Sequence, residues 1–515
     1  MAAQTEPVEV KRSLGLTGAT VNAMALIAPG AFLWTTLQIQ AAATAPDGSS
    51  VATDIWAGIV FALILAFLSA ISYAELAKLY PEAGFGSTYY FAEKAFLDRE
   101  TSAHHRWARS AKLITGWAAH LYYWAYPGVM VAFTATLIGY IYTAVTGNSL
   151  SNVELTIIAF AFAGLTGYIA SRGVTGSTLT ATVINVIQLI TLVGVSAFAI
   201  VYRHTNPGGN NTWSFSGAWD VVKPHSLTGV LIQSTVAILI LVGFESCTAL
   251  AAETKEPRKN IPRAVILSLV IQGLFAYLLE YFAAGYMTSD QLTATGADKS
   301  VVTGLAAVAT SAAPLGDMAV LLGNRLLGGL GFGLMISIAV TVVLALIGTT
   351  LSCLNTAARV TYAMSKDREM PEILGLLHGQ FATPARAIWV LIAVSCVIAA
   401  IGVQSVVGLT GITLASNFGT FMLYGLTCLW TIMAYGGTRD SHFIKHRVVP
   451  WLGLAANLVM LAAILYLYVI GNADSKKEAY ICFGIAGGWA AVSLLYVLLM
   501  PRKQPGTTPL ATPVS

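Results

Sequence analysis

One carboxyl group stands out in an otherwise apolar stretch of the chain. Glu245 follows Gly243 and Phe244 near the middle of the apolar run 227–252, and Ser246 comes directly after it. An ionisable group at membrane depth is costly and usually faces a cavity or a pathway. Glycine weakens a helix, and the backbone groups freed at a break are tolerated only where they line a cavity or are buried in protein. The pattern predicts a broken helix with a binding site at these four residues.

Glu245 has two functional roles to weigh, as an anionic partner for a cationic substrate or as the carrier of a coupling proton. The alternative is a structural glutamate that is hydrogen-bonded to a neighbouring helix. His120 is a second candidate for coupling, because it is the histidine that lies in the middle of an apolar run and titrates near neutral pH. Tyr123 lies three residues later on the same helix face, so both are candidate pocket residues. A lone histidine of this kind is more often satisfied structurally.

Composition excludes the soluble classes. The chain has 515 residues, 56% of them hydrophobic and 10% charged, whereas a soluble domain has about 25% charged residues. An integral membrane protein is therefore expected, with the lipid bilayer as a partner and with no nucleic acid. The five cysteines lie in apolar segments without metal-ligand spacing and are predicted to be packing residues. No metal, cofactor or enzymatic activity is predicted.

Apolar runs long enough to cross a bilayer, about 20 residues each, predict twelve transmembrane helices. The segment 301–332 is shorter and glycine-rich, and it is predicted to be an external loop with one or two surface helices. The predicted spans lie near 17–43, 52–80, 112–145, 153–171, 179–203, 227–252, 264–288, 333–365, 386–403, 406–434, 448–471 and 479–500.

Positive charge decides the predicted orientation. If the N-terminus is inside, 22 of the 28 lysines and arginines fall in inner segments. The positive-inside rule then places both termini in the cytoplasm of a multi-pass protein of the cytoplasmic (plasma) membrane. The predicted tails are 1–13 and 501–515.

The first span carries a second interruption. Pro29 and Gly30 lie at its centre, and proline both lacks an amide hydrogen and clashes with the preceding turn. A simple proline kink is the alternative. Two interrupted spans at matching positions indicate an inverted repeat with its binding site at the interruptions. The predicted organisation is a first repeat at 14–203 (spans 1–5), an external loop at 204–226, a second repeat at 227–434 (spans 6–10) and two appended helices at 435–500.

Several motifs resemble the amino acid–polyamine–organocation (APC) superfamily of permeases, in the correct order from residue 14 to about 385. The sixth, second and eighth helices of that family are similar to stretches of this chain. These stretches are Gly243-Phe244-Glu245 with Ala252-Glu253 and Asn260-Ile261-Pro262-Arg263, Ser72-Tyr73-Ala74-Glu75-Leu76 with Pro81-Glu82-Ala83-Gly84, and Asn355-Thr356-Ala357-Ala358-Arg359 with Asp367. The resemblance implies an all-α membrane fold with a 5+5 (LeuT-like) inverted repeat, in which helices 1 and 6 are broken. It also implies a secondary active transporter that moves a small amino acid or related amine by alternating access.

An amino acid substrate would use both breaks. A half-helix that begins at a break presents free amides and the positive end of its dipole, which suits a carboxylate. The backbone of Ala28, Pro29, Gly30 and Ala31 is predicted to hold the carboxylate. Because proline lacks an amide hydrogen, the amides of Gly30 and Ala31 should contribute most, and Ile27 is a further predicted substrate-binding residue. Carbonyl groups at the break in the sixth span suit the ammonium group.

Two departures from the family pattern bear on coupling and selectivity. Gln188 stands where some proton-coupled members carry a lysine, so a proton relay there is not supported. A coupling proton carried by Glu245 or His120, sodium held by hydroxyls such as Thr349, and a counter-substrate all remain open. Arginine–agmatine exchangers carry a tryptophan where this chain has the aliphatic stretch 237–242, which argues against a guanidinium clamp and leaves Phe244 as a candidate gate.

Four charged residues lie near the predicted cytoplasmic ends of the spans. Glu75, Glu253, Arg359 and Asp367 are either structural ion pairs or an inner gate. Two other functions are kept open. A polyamine or amine exchanger is favoured by Glu245, and a substrate sensor that does not transport is disfavoured by the short predicted tails.

Overall fold

A computed structural model describes residues 12–27, 33–97, 105–173, 177–205, 219, 222–287, 291–295, 299–379, 381, 383–436 and 441–499. The predicted tail 501–515, most of the tail 1–13, most of the loop 204–226, and Ala28, Gly30 and Ala31 lie outside the described residues. The described part of the chain is almost entirely helical, as the predicted all-α class requires. Its helices are α1 (Leu16–Ile27), α2 (Leu33–Ala42), α3 (Ile55–Leu79), α4 (Thr88–Leu97), α5 (His105–Thr146), α6 (Asn152–Ser171), α7 (Ser177–Thr205), α8 (Leu227–Ala237), α9 (Pro257–Met287), α10 (Gly304–Thr310), α11 (Pro314–Leu326), α12 (Gly331–Lys366), α13 (Ala385–Gly402), α14 (Val406–Tyr435), α15 (Val449–Leu467) and α16 (Ala473–Leu499).

Ten helical segments of the described chain are long and apolar enough to cross a membrane, so the protein is a multi-pass membrane protein. They correspond to ten of the twelve predicted spans. The first predicted span is described as α1 and α2, on either side of residues 28–32, and the seventh coincides with α9. The count of twelve and the inverted repeat stay predictions.

The core of the molecule surrounds the sixth predicted span and α14. Most residues of both are buried, whereas few residues of α16 are. Leu494, Leu495 and Leu498 on α16 expose large apolar side chains, as a helix in contact with lipid tails does. The site residues described below lie on the enclosed helices.

The segment between α9 and α12 contains two short helices, α10 and α11, where one or two were predicted. A short antiparallel hairpin precedes them, in which β1 (Thr293–Thr295) pairs with β2 (Val301–Thr303). The hairpin was not predicted, because strands of three residues leave little periodic signal.

The helix α11 is attached closely to the ends of α2 and α5. A side chain at Gly316 would place its Cβ 2.7 Å from Cζ2 of Trp34, so the close approach requires glycine. The Tyr140 hydroxyl donates to Oδ1 of Asp317 at 2.6 Å. Burial raises the pKa of the Asp317 carboxyl, against hydrogen bonds from Ser311 and Tyr140 that lower it.

The residues just before α1 pair with those that follow the sixth span. The amides of Ser13 and Leu14 each donate to the Glu253 carbonyl at 3.0 Å, and the Lys255 amide donates to the Leu14 carbonyl at 2.7 Å. Leu14 and Thr254 thus form a parallel bridge. This N-terminal bridge ties together the ends of the two spans that were predicted to be broken.

All five cysteines are free, and four of them are buried. The burial of four of them agrees with the prediction that they are packing residues, and Cys396 is partly exposed.

Candidate functional site

The sixth span is broken at Gly243, as predicted. The helix α8 ends at Ala237, a short 3-10 turn follows, and the chain resumes as a 3-10 helix at Phe244–Glu253. Gly243 has a φ of +121°, a conformation that residues with a Cβ rarely adopt.

The break lies directly against the end of α1. A Cβ at Gly243 would be 3.0 Å from both Cγ1 and the backbone nitrogen of Ile27, and 3.1 Å from the carbonyl carbon of Leu26. Ile27, which was predicted to be a substrate-binding residue, is fully buried at this contact. The structure therefore brings Ile27 and Gly243 together, while Ala28, Gly30 and Ala31 lie outside the described residues.

The Glu245 carboxyl lies at the break and is 1% exposed. Its Oε1 accepts a hydrogen bond from the Tyr123 hydroxyl at 3.2 Å. Its Oε2 accepts from the Tyr424 hydroxyl at 2.7 Å and from the Gly243 amide at 3.0 Å. Within the described residues no lysine, arginine or histidine forms a salt bridge with Glu245. The three donors occupy three of the roughly four lone-pair sites of a carboxylate, so Oε1, which accepts a single hydrogen bond, can accept another from a cationic group.

Aromatic rings enclose the break. Phe244 is fully buried, with its ring centroid 5.1 Å from that of Tyr424 and 6.0 Å from that of Tyr73. Tyr73 and Tyr424 are themselves in edge contact at 5.7 Å. Phe244 therefore packs between α3 and α14, beside the carboxyl of its neighbour.

Ser246 is the predicted site residue with a hydroxyl available. It is 3% exposed, and its Oγ has no hydrogen-bond partner among the described residues. By contrast, the Thr248 hydroxyl donates to the Glu245 carbonyl at 2.6 Å. A buried hydroxyl without a partner is costly, so Ser246 Oγ is a candidate ligand contact.

The hydroxyls considered as sodium ligands bond to backbone carbonyls instead. Thr349 Oγ1 lies 2.8 Å from the Ala25 carbonyl oxygen of α1, and Ser352 Oγ lies 3.4 Å from that of Asn22. The Thr350 hydroxyl donates within its own helix at 2.8 Å. These contacts join α12 to the last turns of α1.

His120 lies away from Glu245. Its Nδ1 is 2.7 Å from the Gly116 carbonyl oxygen, and its Nε2 is 3.0 Å from Thr361 Oγ1 on α12. The ring stacks on Trp489 of α16. These contacts match the structural alternative for His120, whereas Tyr123 reaches the site. Gln188 is fully buried in α7.

The four charged residues that were predicted near the cytoplasmic ends of the spans make three separate sets of contacts. Arg359 pairs with Glu253 at 2.8 Å, which links α12 to the end of the sixth span. Asp367 pairs with Lys112 at 2.5 Å and also accepts from Tyr89.

Glu75 makes the third set of contacts. Its Oε2 lies 3.1 Å from Nε2 of His446, and the Tyr435 ring stacks on that histidine. Of the four residues, only Glu253 and Arg359 are brought together by a direct contact.

Tyr424 and Tyr73 were missed by the sequence analysis. Tyr73 was quoted only as a member of the Ser72–Leu76 motif, and Tyr424 lies in a span that was treated as a uniform apolar run. Polar residues spaced three and four apart along α14 were the available signal, since that spacing places them on one helix face.

The described helices are long and apolar enough to define a multi-pass membrane protein. One of its spans is broken beside a buried carboxyl, and this break is the candidate site. The amino acid permease family model matches residues 14–500, and the chain belongs to that family. It is thus a permease of the APC superfamily, as the resemblance predicted.

Three relatives resemble the chain over most of their length. The methylthioribose transporter of Bacillus subtilis (strain 168) is 23% identical over 89% of this chain and 88% of its own. The low-affinity putrescine importer PlaP of Escherichia coli (strain K12) is 23% identical over 97% of this chain and 96% of its own length. The branched-chain amino acid permease BcaP of Bacillus subtilis (strain 168) is 23% identical over 84% of this chain and 83% of its own length. The family and these names indicate transporters rather than enzymes.

Proposed function

We propose that this permease is a secondary active transporter that moves a small amino acid or related amine across the cytoplasmic membrane by alternating access. The observation that carries the proposal is the break at Gly243, where a buried carboxyl and the unpartnered hydroxyl of Ser246 lie beside the end of α1. Broken helices place backbone groups and half-helix ends at the substrate site of such transporters. The relatives named for amino acid and putrescine transport support a substrate that carries an amine.

A substrate with one ammonium group fits the site better than a diamine. Among the described residues, no second carboxyl interacts with the Glu245 side chain. The groups that do interact with it are phenols, thiols and backbone amides. A diamine needs a second anionic partner for its second charge. The amides of Gly30 and Ala31 remain the proposed partners of a substrate carboxylate.

The substrate class can be tested by thermal unfolding of the purified protein with each protein amino acid, putrescine and other simple amines. A ligand at 100 times its Kd should stabilise the native state by about 2.7 kcal/mol. Ligands that stabilise should then exchange across proteoliposome membranes in a counterflow assay. The absence of both effects for every amino acid and amine would reject the proposal, and binding without counterflow would identify a sensor instead.

Ser246→Ala separates a ligand contact from a structural role. Because Ser246 Oγ has no partner among the described residues, its removal should leave the stability of the free protein equal or higher. If the hydroxyl contacts the substrate, affinity should fall by about 1 kcal/mol, or about fivefold in Kd. Unchanged affinity in the same titration would remove Ser246 from the site.

We also propose that the pair Glu253–Arg359 is the inner gate on the cytoplasmic side. The pair joins the end of the sixth span to α12, beside the N-terminal bridge, and its side chains are 26% and 27% exposed. An interaction between two such elements favours the state in which they are in contact. The predicted orientation, with both termini in the cytoplasm, supports the assignment to the inner side.

Arg359→Gln should open this side more often. Because a partly exposed pair contributes up to about 1 kcal/mol, the open population should rise by up to about fivefold. The readout is the rate of maleimide labelling at Cys247, which is fully buried, followed by peptide mass spectrometry. Lys259→Gln is the matched control, since the pair Lys259–Glu256 is highly exposed. Equal labelling rates in the two variants would argue that Glu253–Arg359 has no gating role.

A further inference from the structure

A row of polar side chains follows one face of the enclosed helix α14. Apart from the adjacent pair Ser416 and Asn417, its members are spaced three or four residues apart, which places them on one side of a helix. All of them are buried, and they are Thr410, Thr413, Ser416, Asn417, Thr420, Tyr424, Thr427 and Thr431. Burying polar side chains inside a membrane protein costs free energy unless they are hydrogen-bonded.

The members of this polar face differ in their hydrogen bonds. Thr410, Thr420 and Thr427 donate to carbonyls one turn back in the same helix, at 2.9, 3.2 and 2.8 Å. Threonines in membrane helices often bond in this way.

Three polar atoms in the middle of the face do not bond in this way. Thr413 Oγ1, Ser416 Oγ and Asn417 Oδ1 have no hydrogen-bond partner among the described residues, and all three residues are 0% exposed. Buried polar atoms are normally satisfied by protein or by ordered water, and each unsatisfied group costs about 1–3 kcal/mol. Three such atoms lie within about one helical turn, and unpartnered polar groups of this kind are the ones to which buried water molecules bond.

A carboxyl lies at each end of the stretch that contains these atoms. The Tyr424 hydroxyl donates to Glu245 at 2.7 Å. At the other end the Glu478 carboxyl, in the second turn of α16, interacts with the hydroxyl of Thr410. At about 1.5 Å per residue, Thr410 and Tyr424 are about 21 Å apart along the helix.

Polar groups from neighbouring segments contact this face. The Asn417 amide donates to the Thr235 carbonyl of α8 at 2.7 Å. Thr235 Oγ1 lies 2.9 Å from the hydroxyl of Tyr468, which in turn interacts electrostatically with Glu478. Polar groups of α8 and α14 and of Tyr468, which directly follows α15, therefore lie alongside one another.

We propose that the face of α14 between Thr410 and Tyr424 carries ordered water that conducts the coupling proton between Glu478 and Glu245. This inference rests on the proposed transport function and names its coupling ion. Bulk water protonates the Glu478 carboxylate, each water along the face accepts one proton and passes on another, and the Glu245 carboxylate receives the last one. Only O–H bonds break and form, and the Glu245 proton leaves toward the other side of the membrane after the transport step.

The groups that face the two carboxyls are compatible with this transfer. For Glu245 they are phenols of α3, α5 and α14 and thiols of α12 and of its own segment, namely Tyr73, Tyr122, Tyr123, Tyr126, Tyr424, Cys247 and Cys353. Glu478 faces Tyr468 and has Asp474 one turn earlier in its own helix. In the predicted orientation Glu478 lies at the outer side, so the proton enters from outside.

Thr413→Val gives the sharpest test, because it removes a hydroxyl that makes no hydrogen bond within the described residues and keeps the shape. A structural role predicts equal or higher stability and normal transport. A proton-conducting role predicts that uptake driven by a proton gradient falls about tenfold, while exchange at equal pH changes by less than about twofold. Glu478→Gln should show the same pattern, and Thr427→Val is the matched control, being equally buried on the same face but beyond Tyr424.

The assay uses proteoliposomes of the full chain that contain a trapped pH indicator. Radiolabelled alanine, leucine and putrescine are the probes, and proton entry is recorded with uptake. Uptake without proton entry in the unaltered protein overturns the inference and leaves the transport function standing. Equal rates in Thr413→Val and Thr427→Val overturn the route along α14. Failure of the unaltered protein both to bind and to transport any probe points instead to the proposed function itself.

Discussion

Glu245→Ala should abolish uptake and lower the thermal stability of the protein. The substitution removes the acceptor of the Gly243 amide and of the Tyr123 and Tyr424 hydroxyls. Each donor left unsatisfied costs about 1–3 kcal/mol, and the missing side chain leaves a cavity in addition. Uptake into vesicles and thermal unfolding of the purified variant measure the two effects.

Glu245→Gln is the matched control for shape. Its amide oxygen can accept from Gly243 and Tyr424, and its NH₂ group can donate to the Tyr123 hydroxyl, so the fold should be retained. We expect a neutral amino acid to bind within about tenfold of the unaltered protein, or about 1.4 kcal/mol. The pH dependence of transport should be lost, because glutamine carries no proton between states. If the glutamine variant keeps full pH-dependent transport, Glu245 is a structural hydrogen-bonding residue.

Gly243→Ala should reduce uptake at least about tenfold, even where the protein still inserts. An alanine at the φ of +121° is strained by about 1–3 kcal/mol. Its Cβ would also lie 3.0 Å from the backbone nitrogen of Ile27, and backbone atoms cannot move aside as a flexible side chain can. The end of α1 should therefore be displaced from the break. Uptake normalised to the amount of protein in the membrane gives the effect.

Gly164→Ala controls for the general effect of replacing a glycine. Gly164 lies within α6, and a Cβ there would have nothing within 4 Å. Alanine should stabilise the helix by about 0.5–1 kcal/mol and leave uptake unchanged. Should Gly243→Ala transport as well as Gly164→Ala, close packing of the break against α1 is not needed for function.

The spans and the break in the sixth one were predictable because their causes are local. Membrane-crossing length and apolar composition belong to each segment by itself. Gly243 adjoins Glu245 in the sequence, so the interruption and its carboxyl could be recognised together. Tyr123 was predicted to be a pocket residue, but its bond to this carboxyl and the part played by Tyr424 could not be predicted. Both come from helices far away in the chain, and their approach depends on packing.

The three-residue spacing of His120 and Tyr123 was not enough to predict which of the two side chains reaches the site. Three residues turn a helix by about 300°, so two side chains on one face still point about 60° apart. That difference sends His120 toward Thr361 on α12 and Tyr123 toward Glu245. For the inner charges, likewise, position near a span end was predictable but the partner was not. Asp367 pairs with Lys112, which the motif comparison had no reason to select.

The N-terminal bridge limits the positions at which a reporter can be attached to this protein. Its hydrogen bonds begin at the Ser13 amide and end at the Lys255 amide, so they use backbone groups and tolerate many side chains. A fluorophore or fusion partner joined at or before Arg12, which is exposed, leaves the bridge intact. A deletion or a proline at Leu14 removes an amide that donates to the Glu253 carbonyl, and so disturbs the end of the sixth span through the backbone alone.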